Sequence, residues 1–296
     1  MQRDDRQLTE PQLQAAQHME GPLLILAGPG SGKTRVVTHR IANLLRSGVP
    51  ARQILALTFT NKAAEEMRRR IAELASADSG SVWVSTFHRF CSRLLREHAS
   101  LVGLAENFTI LDRADSTRAL QHALDGLTDL NLSQIKPSRL LAGISDCKQK
   151  LITAENYQAR GGGKVAVLLK EVYPAYQNQL LTANAVDFDD LLLHTVELLR
   201  HNPELRRELD DRYRYVMVDE YQDTNPIQYK LASLLAKKRG NLCVVGDDDQ
   251  SIYGWSGADI DKFLALNGDK HYLQQSYRCP SVVTDCAQTI LGRIKR

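Results

Sequence analysis

The sequence predicts an α/β protein built on a parallel sheet, with a helical segment inserted into it. Two observations lead to this prediction. Short apolar runs alternate with helical patterns from residue 23 to about residue 99, and again from about residue 213 to residue 273. Between these two stretches the periodic segments all repeat at helical spacing. Strands that alternate with helices form parallel sheets, so we expect the two outer stretches to share one sheet.

The composition is that of a globular protein and sets few other limits. Hydrophobic residues make up 43% and charged residues 25% of the 296 residues, and no apolar run approaches the length of a membrane span. The net charge of +3 is too small to indicate a partner. The five cysteines form no CxxC pair, which predicts free thiols in a reducing compartment, the cytoplasm. They are Cys91, Cys147, Cys243, Cys279 and Cys286.

The first apolar run, LLILA, leads into a glycine-rich segment that predicts a phosphate-binding loop. Residues 27–34 fit the Walker A pattern, with Ala27 in place of its first glycine. Backbone N–H groups of such a loop cradle phosphate oxygens. Here they belong to Gly28, Gly30, Ser31 and Gly32. Lys33 would reach the β- and γ-phosphates, and the hydroxyl of Thr34 would hold Mg2+. A plain glycine turn is the alternative, and the helical pattern that follows favours the phosphate site.

Two further runs, ILALT and SVWVST, are each followed by side chains that can contact a ligand. Phe59, Thr60 and Asn61 follow ILALT, and His88 comes soon after SVWVST. The carboxyl ends of parallel strands meet at one edge of a sheet, so we expect these residues at the edge that carries the phosphate loop. The basic run at residues 68–70 lies on a predicted helix and is interpreted as a solvated face.

The run YRYVMV is followed by Asp219 and Glu220, which predicts the partner carboxylates of the loop. Asp219 can hold Mg2+, and Glu220 can orient and deprotonate a water molecule. An acidic turn is the alternative. The next run, NLCVVG, leads to Gln250, a neutral group suited to contact a γ-phosphate or the attacking water. Tyr253 and Trp255 follow; exposed on a loop they would stack on bases, and otherwise they belong to the core.

These segments, in this order, resemble the motifs of the UvrD/Rep family of superfamily 1 DNA helicases. The matching segments are LTEPQ, AGPGSGKTR, LALTFTNKAAEEMRRR, STFHRF, VDEYQDTN, GDDDQSIYGWSGA and LQQSYRC. Ser256 stands where the family usually has arginine. The resemblance implies ATP and Mg2+ as ligands, and single-stranded DNA, or duplex with a single-stranded tail, as the partner. It also implies movement in the 3′-to-5′ direction.

The resemblance further assigns roles to individual residues. Gln12 would hydrogen-bond adenine, while Arg35 and Tyr277 would lie against the faces of its ring. The catalytic residues would be Lys33, Glu220, Gln250 and Arg278, of which Arg278 reaches the γ-phosphate. The DNA-binding residues would be Phe59, Thr60, Asn61, His88, Tyr253 and Trp255. Such contacts to bases, phosphates and sugars hold a single strand without reading its sequence.

For the domain organisation, the resemblance implies a RecA-like P-loop NTPase domain that contains an inserted helical subdomain. Residues 1–105 and 186–278 would form the RecA-like domain, and residues 106–185 the insertion. Residues 279–296 would begin a second RecA-like domain, which in a full family member closes the ATP site and supplies a further arginine. We therefore expect the 296-residue chain by itself to hydrolyse ATP weakly.

Two other functions stay open at this point. The first is a module that binds nucleotide and single-stranded DNA but is not a motor and turns over little ATP. The second is a metabolic P-loop kinase, which is disfavoured because it gives no role to Phe59, Tyr253 and Trp255. Strand separation by the chain would exclude the module, and stimulation of ATP hydrolysis by single-stranded DNA would exclude the kinase.

Overall fold

The computed structural model describes residues 8–75, 80–127, 135–159, 163–250, 266–291 and 293. The chain divides into two compact units. The first unit contains the chain up to Phe87, Pro203–Thr224 and the chain from Ala232 onward, and the second contains His88–Asn202 and Asn225–Leu231. The predicted insertion falls within the longer segment of the second unit, which extends further at both ends. The domain boundaries given above stay a prediction.

A six-stranded parallel sheet forms the centre of the first unit. The strands of the described residues are β1 (Leu23–Ala27), β2 (Ile54–Thr58), β3 (Trp83–Thr86), β4 (Thr109–Ile110), β5 (Ala185–Val186), β6 (Tyr215–Val218), β7 (Leu242–Gly246) and β8 (Asp269–Leu273). The sheet has the order β3-β2-β6-β7-β1-β8, and every neighbouring pair is parallel. The predicted α/β class is therefore confirmed. Strands β4 and β5 form a separate parallel pair in the second unit.

The helices account for most of the remaining described chain. They are α1 (Glu10–Gln17), α2 (Lys33–Arg46), α3 (Asn61–Leu74), α4 (Phe87–Glu97), α5 (Arg113–Asp125), α6 (Pro137–Gln149), α7 (Lys164–Thr182), α8 (Phe188–His201), α9 (Pro203–Arg212), α10 (Pro226–Leu235) and α11 (Ser281–Leu291). None of these helices is both long enough and apolar enough to span a lipid bilayer, a finding limited to the residues described above.

The central strands are almost continuous apolar runs because both faces of the sheet are covered. Leu23, Leu24 and Ile25 of β1 have no exposed surface, and β2, β6 and β7 are buried along their whole lengths. This is the pattern of a parallel sheet between two layers. Helix α2 packs against α1 and α3. Since the strands are parallel, the residues that follow β1, β2, β6, β7 and β8 all lie at one edge of the sheet.

The second unit has its own core, formed by α5, α6 and α7. Next to this core lies a buried ionic cluster. The Nζ atom of Lys148, a side chain with no exposed surface, lies 2.6 Å from Asp187 Oδ2 and 2.7 Å from Asp190 Oδ1. Burial acts to lower the pKa of Lys148, but the two carboxylates outweigh it and raise that pKa. Asp187 is the N-cap of α8 and exchanges backbone hydrogen bonds with Asp190 in a capping box.

All five cysteines are free, as predicted. Burial raises the pKa of the Cys91 thiol to about 12 and that of Cys243 to about 11, which keeps both in the unreactive protonated form. The compartment inferred from the free thiols stays a prediction.

Candidate nucleotide site and strand-end residues

The segment between β1 and α2 is a tightly constrained loop. Gly30 has φ +73° and Gly32 has φ +91°, values that side chains rarely adopt. A Cβ atom on Gly30 would lie only 2.5 Å from Arg278 Cβ, and one on Gly32 would lie 2.9 Å from Gln12 Nε2. The hydroxyl of Ser31 donates to the carbonyl of Gly28 at 2.7 Å. The backbone conformation therefore favours glycine at both positions, and at position 30 the nearby Cβ and backbone of Arg278 also exclude a side chain.

Gln12 holds this loop against α1. Its Nε2 donates to the carbonyl oxygen of Ser31 at 2.8 Å, and its Oε1 accepts from the backbone N–H of Thr9 at 3.0 Å. The side chain is buried. Gln12 thus touches the loop directly, and its assignment to adenine stays a prediction.

Lys33 lies between two carboxylates at the strand ends. Its Nζ atom is 3.5 Å from Glu220 Oε2 and 3.6 Å from Asp247 Oδ2. Both distances exceed that of a short charge-assisted hydrogen bond, so neither carboxylate binds the ammonium group tightly. The sequence predicts Glu220 but not Asp247, although Asp247 also directly follows a buried strand, β7. An acidic residue at a strand end was the signal in both cases.

Thr34 and Asp219 lie together on the buried side of the site. The hydroxyl of Thr34 donates to Asp219 Oδ2 at 3.3 Å. Burial, together with the nearby Glu220, raises the pKa of Asp219 to about 6. In Asp223, Oδ1 is buried and has no hydrogen-bond partner among the described residues, and burial and Glu220 raise that pKa to about 6 as well.

These oxygen atoms fit a magnesium ion. A hydroxyl and a carboxylate are hard ligands, and Mg2+ in nucleotide sites takes one or two carboxylates plus substrate phosphates and water. A bound cation would also lower the raised pKa values of Asp219 and Asp223, because it favours the ionised carboxylates. In the part of the chain that the structure describes, no cluster of three or more His, Cys, Asp or Glu side chains offers a metal site made of protein ligands alone.

A pocket of about 300 Å³ brings most of the predicted nucleotide residues together, but not Gln12, Gly28, Ser31 or Asp219. It is lined by Gly30, Gly32, Lys33, Thr34, Arg35, Glu66, Arg70, Glu220, Gln250, Tyr277 and Arg278. The segment after β8 is fixed to the loop, because the N–H of Tyr277 donates to the carbonyl of Gly30 at 2.9 Å. The ring of Tyr277 is exposed (54%), as a surface for stacking requires.

Helix α3 contributes two pocket residues that the sequence analysis did not single out. Arg70 forms an ion pair with Glu66 one turn earlier, and both line the pocket. Arg68 and Arg69 are exposed, as predicted for a solvated face, whereas Arg70 is half-buried. The i,i+4 spacing of Glu66 and Arg70 was visible in the sequence, but the direction in which this face of the helix points was not.

The residues predicted to bind DNA from the first unit lie beside the pocket edge of the sheet. Phe59 follows β2 and is 36% exposed. The hydroxyl oxygen of Thr60 caps α3 by accepting from the N–H of Ala63 at 3.1 Å, and Asn61 is the exposed first residue of that helix. Tyr253 and Trp255 lie outside the described residues.

His88 belongs to the second unit and has an aromatic neighbour there. Its ring contacts that of Phe188 in a T-shaped arrangement, with centroids 5.7 Å apart. Burial lowers the pKa of His88, so the ring is neutral at pH 7. Phe188 is 52% exposed at the first position of α8. Phe188 is not predicted from the sequence, where its one signal is an apolar residue directly after the helix-capping Asp187.

Comparison with known proteins finds similar sequences over nearly the whole chain. Residues 8–271 match the family described as the UvrD/REP helicase N-terminal domain. The ATP-dependent DNA helicase PcrA of Staphylococcus epidermidis (strain RP62A) is 42% identical over 292 residues, which are 97% of this chain and 40% of that protein. The PcrA helicase of Staphylococcus aureus (strain Mu50) is 42% identical over 286 residues, 95% of this chain and 39% of that protein. The chain thus spans about 40% of the length of these relatives.

Proposed function

Since this chain belongs to the UvrD/REP helicase family, we propose that it is the ATP- and DNA-binding region of an ATP-dependent DNA helicase that moves 3′ to 5′ along single-stranded DNA. The observation that carries the proposal is the position of Lys33. It lies at the end of the glycine loop, loosely held between Glu220 and Asp247, and lines the same pocket as Thr34 and Arg278. A cation so placed is available to the phosphates of ATP.

In the proposed mechanism, the loop amides from Gly28 to Gly32 cradle the phosphates and Lys33 contacts the β- and γ-phosphates. Thr34 and Asp219 would hold Mg2+, which supplies neutralisation of phosphate charge when bound. Glu220 orients a water molecule and takes up its proton. Its side chain is 40% exposed, so water can reach the carboxylate.

Five further residues complete the proposed nucleotide site. Gln250 and Arg278 line the pocket and approach the γ-phosphate. Arg35 and Tyr277 line the same pocket and would lie against the adenine faces, while Gln12, directly behind the loop, would contact the adenine edge. These roles follow from the family motifs and, for all but Gln12, from the shared position around one pocket.

The proposed DNA-binding residues are aromatic and polar side chains at strand and helix ends. They are Phe59, Thr60, Asn61, His88, Tyr253 and Trp255, to which we add Phe188 because its exposed ring contacts His88. The expected ligand is single-stranded DNA or a duplex with a single-stranded tail. Bases would stack on the rings and the backbone would meet the polar groups, so binding should tolerate any sequence.

We further propose that these 296 residues alone hydrolyse ATP slowly and do not separate strands. The family resemblance implies a further arginine from a second RecA-like domain, and an arginine of this kind is worth about 10³–10⁵ in rate. In the cell the protein is proposed to act in the cytoplasm, in a pathway such as DNA repair.

Binding and hydrolysis assays test the proposal. The wild-type chain should bind Mg-ATP, and Lys33→Ala should abolish triphosphate binding. Equal affinity for GTP and ATP would exclude Gln12 as an adenine reader. Affinity for single-stranded DNA should fall with salt, with a log–log slope of about −0.7 for each phosphate contacted. Equal affinity for a blunt duplex would contradict the proposed DNA-binding residues.

A further inference from the structure

Gln222, which is not among the residues predicted from the sequence, connects Glu220 to the end of the neighbouring strand β7. It lies in the short 3-10 helix Tyr221–Asp223 after β6 and is only 2% exposed. Its Nε2 donates to Glu220 Oε2 at 2.9 Å and approaches Asp223 Oδ2 at 3.4 Å. Its Oε1 accepts from the backbone N–H of Asp247 at 3.0 Å.

We propose that Gln222 is a positioning residue for ATP hydrolysis: it holds the carboxylate of Glu220 in the orientation that activates water. This inference rests on the proposed function, in which Glu220 is the general base. It assigns Gln222 no contact with ATP, because its side chain is buried behind the carboxylate and Gln222 does not line the pocket described above.

The competing partner for the Glu220 carboxylate is Lys33. Both Gln222 and Lys33 approach the same oxygen, Oε2, at 2.9 Å and 3.5 Å. Without the amide donor, the carboxylate would move onto the ammonium group. Such a direct ion pair would occupy the cation that the phosphates need and would turn the base away from water. A neutral donor at Oε2 prevents this and leaves Oε1 without a partner among the described residues.

The other end of the Gln222 side chain is fixed to a rigid point. Asp247 is buried, and its carboxylate accepts from the backbone N–H of Asp249 at 3.0 Å and from Gln250 Nε2 at 2.5 Å. Gln222 therefore sets the position of Glu220 relative to the loop that carries Gln250. The amide side chain supplies both the donor for the carboxylate and the acceptor for the N–H.

The test compares single-turnover ATP hydrolysis by the 296-residue chain with that of Gln222→Met, with enzyme in excess over ATP. We expect the rate of Gln222→Met to fall roughly tenfold to a hundredfold, the effect of losing one hydrogen bond to a charged group. Affinity for a fluorescent ATP analogue should change less than threefold, because the phosphate loop is untouched. The matched control is Gln228→Met, which removes another buried glutamine, one that accepts from the N–H of Asn225 at 3.1 Å. Its rate should equal that of the wild type.

A second variant separates the effect of the hydrogen bond to Glu220 from that of the hydrogen bond to Asp247. Gln222→Glu keeps the acceptor for the Asp247 N–H. At about pH 9, where its buried carboxyl group is ionised, it has no donor for Glu220, so at that pH it should be as slow as Gln222→Met. Recovery of the wild-type rate by Gln222→Glu at about pH 9, or an unchanged rate in Gln222→Met, would overturn the inference while leaving the proposed function intact. A Glu220→Gln variant that hydrolyses ATP at the wild-type rate would refute the proposed role of Glu220 and this inference with it.

Discussion

Replacing Lys148 by methionine should destabilise the second unit by several kcal/mol. The substitution keeps most of the side-chain volume but removes a charge that is fully buried between Asp187 and Asp190, at 2.6 and 2.7 Å. Removing one partner of a buried ion pair typically costs about 3–5 kcal/mol, because the remaining charges lose their compensation.

The structure sets a limit on this cost. Both carboxylates keep other donors: Tyr176 Oη donates to Asp187 Oδ2 at 3.0 Å, and Gln177 Nε2 donates to Asp190 Oδ1 at 3.1 Å. Burial and the neighbouring Asp190 already raise the pKa of Asp187 to about 6 with Lys148 present. Without Lys148 the pKa of Asp187 rises further. Protonating Asp187 then costs about 1.4 kcal/mol for each unit by which the pH exceeds this pKa, so Asp187 can take up a proton at neutral pH. We therefore expect a loss of about 3 kcal/mol at pH 7.5.

The raised pKa of Asp187 also fixes how the stability of the variant depends on pH. In the variant, the native state holds a proton on Asp187 that the unfolded state releases, so its stability falls as pH rises through and above 6. The deficit relative to the wild type should therefore shrink between pH 7.5 and pH 5.5. Urea unfolding followed by circular dichroism measures both the stability loss at pH 7.5 and its change on acidification.

The matched control lies two residues further along the chain. Lys150 forms an exposed ion pair with Asp146 at 2.7 Å, and Lys150→Met should cost less than about 1 kcal/mol. Equal losses in the two methionine variants, or a Lys148→Met deficit that grows on acidification, would refute the reasoning.

Three other predictions concern the ligand sites. Gly30→Ala should lower ATP affinity at least tenfold in calorimetric titration, because its Cβ would meet Arg278. Gly48, which also has positive φ, has open space around it, so Gly48→Ala should leave ATP affinity unchanged; equal losses of ATP affinity in the two variants would count against a steric cause. Phe59→Ala should weaken single-stranded DNA binding by roughly 1–3 kcal/mol in fluorescence anisotropy, and an unchanged affinity would remove Phe59 from the site. Phe188→Ala should show a loss of the same size without any change in ATP affinity, and a selective loss of ATP affinity would instead assign Phe188 to nucleotide binding.

The sequence predicted the sheet well because its strands are buried on both faces. LLILA and ILALT match β1 and β2 residue for residue, since a parallel strand between two layers reads as an uninterrupted apolar run. The phosphate loop could be predicted equally well, because the local backbone geometry favours glycine there. The predicted run at residues 213–218 was longer than β6, which begins at Tyr215, because Tyr213 is buried outside the strand.

The residues that escaped prediction reach the site through tertiary packing. Glu66 and Arg70 reach the pocket only because α3 packs against α2 and presents that face to the loop. Phe188 looked like part of the apolar pattern of α8, and its exposure depends on where that helix begins. Gln222 lies within a recognised motif, but its two hydrogen bonds join residues from different strand ends, which no local pattern records.

The hydrogen bond from Tyr277 to Gly30 also bears on how the protein is made. The phosphate loop is synthesised early, yet β1 gains its neighbours β7 and β8 only after more than two hundred further residues have been translated. During synthesis β1 is an apolar segment without its partners, of the kind that favours aggregation and chaperone binding. The pairing of β1 with β8 is of very high sequence separation, which slows folding. A nascent chain should therefore acquire nucleotide affinity late and abruptly, when the segment after β8 leaves the ribosome and closes over the loop.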